Sequence, residues 1–116
     1  SGVQYMQAQR MRRRLRSEMT ALAKGVDSLL TPATPSEAPR DLGTTGSAMF
    51  QTPWTSAGMP TITIPSGLSR SGLPLGIQLG GPPFGEARLL ALARWCERIL
   101  GVDMVPPELT GASSVG

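Results

Sequence analysis

Two short strands within residues 52–80 restrict the fold of this chain more than any other feature. The first, near residues 61–65, alternates threonine with isoleucine, and the second, near residues 73–80, carries leucine or isoleucine at every other position. The serine- and glycine-rich run between them, residues 66–72, predicts a hairpin with a long loop. Gly76 lies in the middle of the second strand. A glycine there indicates the close approach of another backbone, a bulge or packing against a helix.

Two helices and one further strand are predicted around this hairpin. Residues 3–24 and 86–100 both carry apolar side chains at steps of three and four, and a glycine follows each run. The stripe of the first helix consists of Ala8, Met11, Leu15, Met19 and Leu22; that of the second consists of Leu89, Leu92, Cys96 and Ile99. Residues 26–31 form a short run that ends at Pro32, and we interpret it as a strand buried on both faces. Because it follows a helix directly, it favours a parallel or mixed sheet. The sequence therefore predicts an α/β fold, with a small mixed sheet packed by two helices.

The distribution of proline and glycine indicates how the rest of the chain is organised. Residues 31–46 are predicted to be a connection without regular structure, and residues 47–54 a helical turn limited by Pro53. We expect residues 1–101 to form one segment of a domain, because 116 residues bury only a modest core. The remaining residues, 102–116, are expected to be an extended or disordered arm.

Composition excludes several classes of site. The sequence contains no histidine, which excludes histidine-ligated metal sites and histidine general bases. The single cysteine, Cys96, excludes an internal disulfide and lies on a predicted apolar stripe, so it is interpreted as a core residue. No run is apolar enough to suggest a signal peptide or a bilayer-spanning helix. We therefore expect a soluble cytoplasmic protein without a metal or a cofactor, and without a membrane partner.

A basic cluster in the first predicted helix suggests a different function. Five of the eleven basic residues lie there: Arg10, Arg12, Arg13, Arg14 and Arg16. Such a cluster is typical of a module that binds nucleic acid or an acidic protein. Met11 and Leu15 interrupt it at core spacing, however, and no aromatic residues are interleaved for base stacking. A solvated or subunit-facing helix surface, with Arg14 paired to Glu18, is the favoured interpretation. Nucleic acid is therefore an unlikely partner, and an oligomerisation domain is a third, weaker alternative.

Several motifs follow one another in a fixed order. They are Tyr-Met-Gln-Ala-Gln-Arg at residues 5–10, Val-Asp-Ser-Leu-Leu-Thr-Pro at 26–32, Pro-Trp-Thr-Ser-Ala-Gly-Met-Pro-Thr-Ile-Thr-Ile-Pro at 53–65, Gly-Leu-Pro-Leu-Gly-Ile-Gln-Leu-Gly at 72–80 and Glu-Ala-Arg-Leu-Leu at 86–90. This order resembles the C-terminal part of the amidase signature enzymes. The resemblance implies that the chain is the C-terminal piece of a larger α/β/α sheet. It also implies a hydrolase that acts on the carbon–nitrogen bonds of small-molecule amides.

The resemblance also implies where the catalytic residues lie. The family uses a serine nucleophile, a second serine in a cis peptide linkage and a lysine, which relay a proton while backbone N–H groups hold the oxyanion. The region that carries them in the family precedes the part that this chain resembles. Lys24 is interpreted as a hydrated helix-end cation and the pair at residues 113–114 as tail serines. We therefore assign no catalytic residue and predict that the chain alone is inactive.

Candidate substrate-binding residues also follow from the resemblance. The family segment that matches residues 48–54 lines the acyl pocket, which makes candidates of Met49, Phe50, Gln51 and Trp54. From its chemistry alone, Trp54 is either a pocket wall or a core anchor. The glutamine-using amidotransferases of the family usually carry an acidic residue where Ala48 stands, which disfavours that branch. Thr55 replaces the asparagine common in the family. The predicted partner is a second copy of the chain or a missing N-terminal portion.

Overall fold

The computed structural model describes residues 1–106 and arranges them as three helices and three strands. They are α1 (Gly2–Ala23), β1 (Leu29–Pro32), α2 (Thr52–Ala57), β2 (Thr61–Leu68), β3 (Pro74–Gly80) and α3 (Glu86–Leu100). The predicted α/β class is confirmed, and the predicted limits of the two long helices agree with the structure to within one residue. None of the helices in residues 1–106 combines the length and apolar character needed to cross a bilayer.

The sheet has the order β1-β3-β2, and β3 runs antiparallel to both neighbours. The first strand was expected to belong to a parallel or mixed sheet, but the observed direction of β1 relative to β3 is antiparallel. Residues 24–28 form a turn, in which Gly25 has a φ of +90°, so that β1 begins at Leu29 rather than near residue 26. The Ser28 hydroxyl donates to the Gly80 carbonyl (2.9 Å), which fixes the end of β1 against the end of β3.

The hairpin between β2 and β3 is longer than predicted. Its first strand continues past Pro65 to Leu68, and the register shifts at Ser66, which has no partner in β3. A proline is tolerated here because β2 lies at one edge of the described sheet and a bulge follows directly. Gly76 lies opposite Pro65, and a Cβ on it would come within 2.8 Å of the Thr63 side chain. Of the three alternatives named for Gly76, the close approach of another backbone is observed, since a Cβ there would lie 3.2 Å from the Ile64 carbonyl oxygen.

One face of the sheet packs against α3. The buried cluster there consists of Ile64, Leu79, Leu89 and Ala93, with Ile62, Ile77 and Cys96 packed beside it. Ile99, which was predicted to extend this stripe, is 63% exposed and does not belong to the buried cluster. Cys96 thus packs against the core, as predicted. At the C-terminus of α3, Gly101 adopts a left-handed conformation and donates to the Glu97 carbonyl.

The opposite face of the sheet meets α2, which in turn packs against α1. This second cluster consists of Ala23, Trp54, Ala57 and Met59, with Leu15, Met19 and Leu29 packed beside it. The apolar stripe predicted for α1 is only partly buried, since Met11 is 73% and Leu22 66% exposed. β1 also departs from its prediction, because Leu30 is 63% exposed and the strand is not buried on both faces.

Candidate functional site

The turn that precedes α2 is held by three hydrogen bonds to the Ala48 carbonyl. The Ala48 oxygen accepts from the backbone N–H of Gln51 (3.1 Å), the N–H of Thr52 (2.9 Å) and the Thr52 hydroxyl (2.8 Å). Upstream, the Met49 N–H donates to the Ser47 hydroxyl oxygen (3.3 Å). The predicted helical turn is thus present, but α2 continues beyond Pro53 to Ala57, because that proline lies in the first helical turn. We call residues 48–54 the wall segment.

Gln78 ties the wall segment to the sheet. Its side chain is 2% exposed, and its Nε2 donates to the Phe50 carbonyl (3.1 Å) and lies 3.4 Å from the Thr31 hydroxyl oxygen. A buried amide left without these partners would cost about 1–3 kcal/mol, so the two contacts fix the position of Phe50 relative to β3. Sequence reasoning assigned no role to Gln78. A signal was available in the sequence, because Gln78 is the one polar side chain of the predicted strand and alternates with Gly76 and Gly80, whereas the other side of the strand is aliphatic.

Gln51 provides a second link from the wall segment to the sheet. Its side-chain Nε2 donates to the Ala33 carbonyl, directly after the end of β1. Ala33 is itself held by β3, because its N–H donates to the Gly76 carbonyl (3.0 Å). The Gln51 Oε1 is buried and has no hydrogen-bond partner within the described residues. The amide of Gln51 is therefore committed to the connection after β1.

Trp54 is buried in the core rather than exposed on a groove. The residue is 4% exposed, and its indole ring occupies the volume above Gly80, where a Cβ would overlap three ring carbons. Trp54 was interpreted as either a pocket wall or a core anchor, and within residues 1–106 it has the position of a core anchor. Met49 has the opposite environment, with 58% exposure. Phe50, Gln51 and Trp54 are thus anchored to one face of the sheet, while Met49 projects outward. Their role in substrate binding stays a prediction.

A groove of about 550 Å³ lies beside β1, between the loop that follows this strand and the β2–β3 hairpin. Leu30, Leu75 and Ile77 contribute apolar lining, and Glu37 lies at its rim. The four candidate residues of the wall segment are not among the residues that line it. Hydrogen bonds from the Ser69 and Ser71 hydroxyls lower the pKa of Glu37.

The arginines of α1 make contacts within the molecule. The Arg12 Nε donates to the Ser56 carbonyl at the C-terminal end of α2 (3.2 Å). Arg14 and Glu18 form the predicted pair, with 2.7 Å between Nε and Oε1, and this hydrogen bond raises the pKa of Arg14. Of the five clustered arginines, Arg12 thus contacts α2 and Arg14 pairs within α1. Lys24 is exposed and follows directly after the last residue of α1.

Residues 1–90 match the family model described as Amidase. The chain belongs to the amidase family. Among its amidase-family relatives, the A subunit of the glutamyl-tRNA(Gln) amidotransferase of Methylorubrum extorquens (strain PA1) is 40% identical over 112 residues, which is 88% of this chain and 22% of the relative. The fatty acid amide hydrolase of Medicago truncatula is 35% identical over 113 residues, 87% of this chain and 19% of the relative. The chain thus spans about a fifth of the length of these relatives.

Solved amidase-family structures share this fold. A crystal structure of an amidase superimposes with a TM-score of 0.77 at 32% identity and covers 87% of this chain, which corresponds to 26% of the solved chain. The A subunit of the Thermotoga maritima glutamyl-tRNA(Gln) amidotransferase superimposes with a TM-score of 0.67 at 30% identity, over 81% of this chain and 22% of the solved one. The relatives include amidases and amidotransferase subunits, so similarity alone does not separate these two branches.

Proposed function

We propose that this chain supplies scaffold and one wall of the acyl-binding pocket in an enzyme that hydrolyses amides. Hydrolysis adds water across the carbon–nitrogen bond and releases a carboxylic acid and an amine. The serine nucleophile, the cis-linked serine and the lysine of this proposed mechanism lie in polypeptide outside residues 1–116. Within the chain, the wall segment contacts the acyl group through Met49 and Phe50, while Gln51 and Trp54 hold it in place.

The observation that carries this proposal is the attachment of the wall segment to the sheet of an amidase-family chain. Gln78 holds the Phe50 carbonyl, Gln51 reaches the Ala33 carbonyl, and Trp54 packs on Gly80. A segment held at three points presents its remaining side chains in a fixed position, which is what an acyl pocket requires of its wall. Ligand pockets in proteins are lined mainly by apolar and aromatic side chains. Met49 and Phe50 are side chains of these two kinds.

The names of the relatives span two kinds of substrate. One group acts on glutamyl-tRNA(Gln) as amidotransferase subunits, and the plant relative acts on fatty acid amides. For this chain we propose a small-molecule amide and a free amidase, because Ala48 provides no carboxylate to receive an ammonium group. A cytoplasmic location belongs to the same proposal and is supported by the single cysteine.

Exposed apolar side chains support a further part of the proposal, which concerns partners. On α1 they include Val3, Tyr5, Met6 and Met11, and on α3 they include Trp95 and Ile99. We assign these surfaces to contact with the remaining polypeptide of the enzyme or with a second copy of the chain. Light scattering on the purified 116-residue chain tests this assignment. Association or binding of an apolar dye supports it, and a clean monomer without bound dye contradicts it.

The proposed division of labour is tested first with the isolated chain. Purified residues 1–116 are incubated with hexanamide, and release of ammonia is measured for the chain and its Lys24→Ala variant. Neither is expected to hydrolyse the amide, because no activated nucleophile is assigned to this chain. Hydrolysis that disappears on replacing Lys24 would place the catalytic lysine in this chain and overturn the proposal.

A positive test uses a chimera. The matching segment of the solved amidase is replaced by this chain, and hydrolysis of simple amides is measured beside the unchanged enzyme. The proposal predicts an active chimera in which Phe50→Ala lowers kcat/KM by about tenfold. The control is Leu90→Ala on α3, which packs on the other face of the sheet and should leave kcat/KM unchanged. A folded chimera that hydrolyses no amide contradicts the proposal.

A further inference from the structure

We propose that an extended, acidic segment of a partner protein docks between β2 and α3, where it adds a strand to the sheet and places carboxylates against Arg94 and Arg98. This surface is separate from the wall segment, which packs on the opposite face of the sheet. The supporting features are the outward-facing backbone groups of β2, the groove between β2 and α3, and the charges on one side of α3.

β2 offers backbone hydrogen-bonding groups on the side away from β3. The Gly81 N–H donates to the carbonyl of Pro60, the residue that lies opposite to it in the register of β2 and β3 (3.0 Å). Bonded and non-bonded pairs alternate along an antiparallel ladder, so the residues that turn their N–H and C=O groups outward are Thr61 and Thr63. Pro65 occupies the next outward position and has no N–H to offer. The edge available to an added strand therefore ends before this proline.

This edge lacks the protection that exposed edge strands usually carry. Natural sheets blunt such an edge with charged side chains, prolines or bulges. β2 has no charged side chain among its eight residues, and its proline and bulge come only after Thr63. Within residues 1–106, no strand pairs with its outer side. An edge of this kind is a template for a further strand, which is how extended peptides add to sheets in β-augmentation.

A groove of about 650 Å³ lies beside this edge, between β2 and α3. Its apolar lining includes Ile62, Ile64, Leu90 and Ala93. Leu90 is 58% exposed, so part of this apolar surface is uncovered in the described part of the chain. Successive side chains of an added strand point to opposite faces of the sheet, so every second one enters the groove. Aliphatic side chains at those positions fit its lining.

The charged side chains that line the groove all belong to α3. Arg94 and Arg98 lie one helical turn apart, and neither forms an ion pair with another residue in the range 1–106. Glu97 is the one carboxylate in the described lining, so cations outnumber anions by two to one. A second copy of β2 fits poorly, because that strand brings no carboxylate. A segment in which acidic residues flank aliphatic ones fits well, since guanidinium groups pair with carboxylates.

A palindromic peptide tests the docking, because it presents the same side chains in both strand directions. Fluorescein-labelled Glu-Thr-Val-Thr-Val-Thr-Glu is titrated with the purified 116-residue chain, and its dissociation constant is measured by fluorescence anisotropy. It should bind about tenfold more tightly than Lys-Thr-Val-Thr-Val-Thr-Lys, since two exposed charge pairs change from attractive to repulsive. Arg94→Glu combined with Arg98→Glu should reverse this preference.

Arg10→Glu combined with Arg13→Glu is the matched control, because it changes the net charge equally on a helix that does not line the groove. The acidic peptide should remain the preferred one. At the edge itself, Thr63→Pro removes an outward N–H and should weaken binding by about fivefold or more, whereas Thr63→Val keeps that N–H and should not.

Hydrogen exchange locates the bound peptide without any substitution. The amides of Thr61 and Thr63 should exchange more slowly in its presence, while those of Ile62 and Ile64 already bond to β3 and should change less. This measurement also keeps the test decisive if Thr63→Pro fails to fold.

Absence of binding, equal binding of the two peptides, or binding that leaves the exchange of Thr61 and Thr63 unchanged overturns the proposal. Binding to the isolated chain but not to the folded chimera also overturns it, because the edge is then covered by the enzyme's own polypeptide. Self-association of the chain that Thr63→Pro abolishes assigns the edge to a second copy and has the same consequence. None of these outcomes affects the proposed function, which is tested by amide hydrolysis.

Discussion

The indole ring of Trp54 occupies the space that a side chain on Gly80 would need, so these two residues define each other's identity. A glycine at the end of β3 is required here by the ring packed above it rather than by backbone conformation, because Gly80 is not among the glycines with positive φ. This contact joins α2 to the sheet and thereby sets the position of the wall segment.

Gly80→Ala is expected to destabilise the chain by about 1–3 kcal/mol, because the added methyl group overlaps the ring of Trp54 and forces it out of place. Urea unfolding followed by circular dichroism measures the change. Gly2→Ala is the control, since a Cβ there meets no atom within 4 Å, and it should leave stability unchanged or slightly increased. Equal stability of the two variants would contradict the packing described for Gly80.

Trp54→Ala is expected to cost about 3–5 kcal/mol, since a ring that is 4% exposed is removed and a cavity remains. The exposed tryptophan, Trp95, provides the comparison, because Trp95→Ala should cost less than about 1 kcal/mol. Fluorescence gives an independent measurement. In a Trp95→Phe background the remaining emission should be blue-shifted and should move to longer wavelength on unfolding. Water-like emission from the folded variant would show that Trp54 is not in the core.

Gln78→Leu should destabilise the chain by about 1–3 kcal/mol although it replaces a polar group with an apolar one of similar size. The substitution leaves the Phe50 carbonyl without the donor that it has in the native chain. Thr31→Val removes only the longer 3.4 Å contact and is expected to cost less. Both values come from urea unfolding of the 116-residue chain. A stabilising Gln78→Leu would mean that the contact to Phe50 contributes no net stability.

The lowered pKa of Glu37 predicts a pH dependence whose sign is defined. Hydrogen bonds from Ser69 and Ser71 hold the folded-state pKa below the ordinary value of 4.5. The stabilisation is therefore fully present above pH 4.5 and is lost as the pH falls through the lower, folded-state pKa. The difference in unfolding free energy between the native chain and Glu37→Gln should be constant from pH 7 to 5 and shrink below that range. A difference that grows on acidification would contradict the assignment.

Local patterns were sufficient to place the two long helices and the hairpin, although β2 and α2 both continue past their predicted ends. The limits of α3 follow from Glu86 at its start and Gly101 after its end, and the close approach at Gly76 follows from a glycine inside a strand. These features depend on residues that are near in sequence or on one backbone position. The resemblance of the ordered motifs to the amidase family is confirmed by the match over residues 1–90.

Features that depend on distant pairings were not predictable in the same way. The antiparallel placement of β1 beside β3 depends on the turn at residues 24–28 and on the bond from Ser28 to Gly80, 52 positions away. The burial of Gln78 depends on the Phe50 carbonyl, which belongs to a segment that has no periodic pattern. Neither the hydrogen bond between Ser28 and Gly80 nor the one between Gln78 and Phe50 can be recognised from the residues adjacent to them in the sequence.

The alternation along β3 gives its positions unequal freedom to vary. The side toward α3 is filled by branched aliphatic residues such as Ile77 and Leu79, whereas the other carries Gly76, Gln78 and Gly80. In a randomised library, the aliphatic side should accept exchanges among leucine, isoleucine and valine. At Gly76, Gln78 and Gly80, on the other side of the strand, nearly every substitution should be lost from the folded population. Tolerant and intolerant positions would therefore alternate along β3.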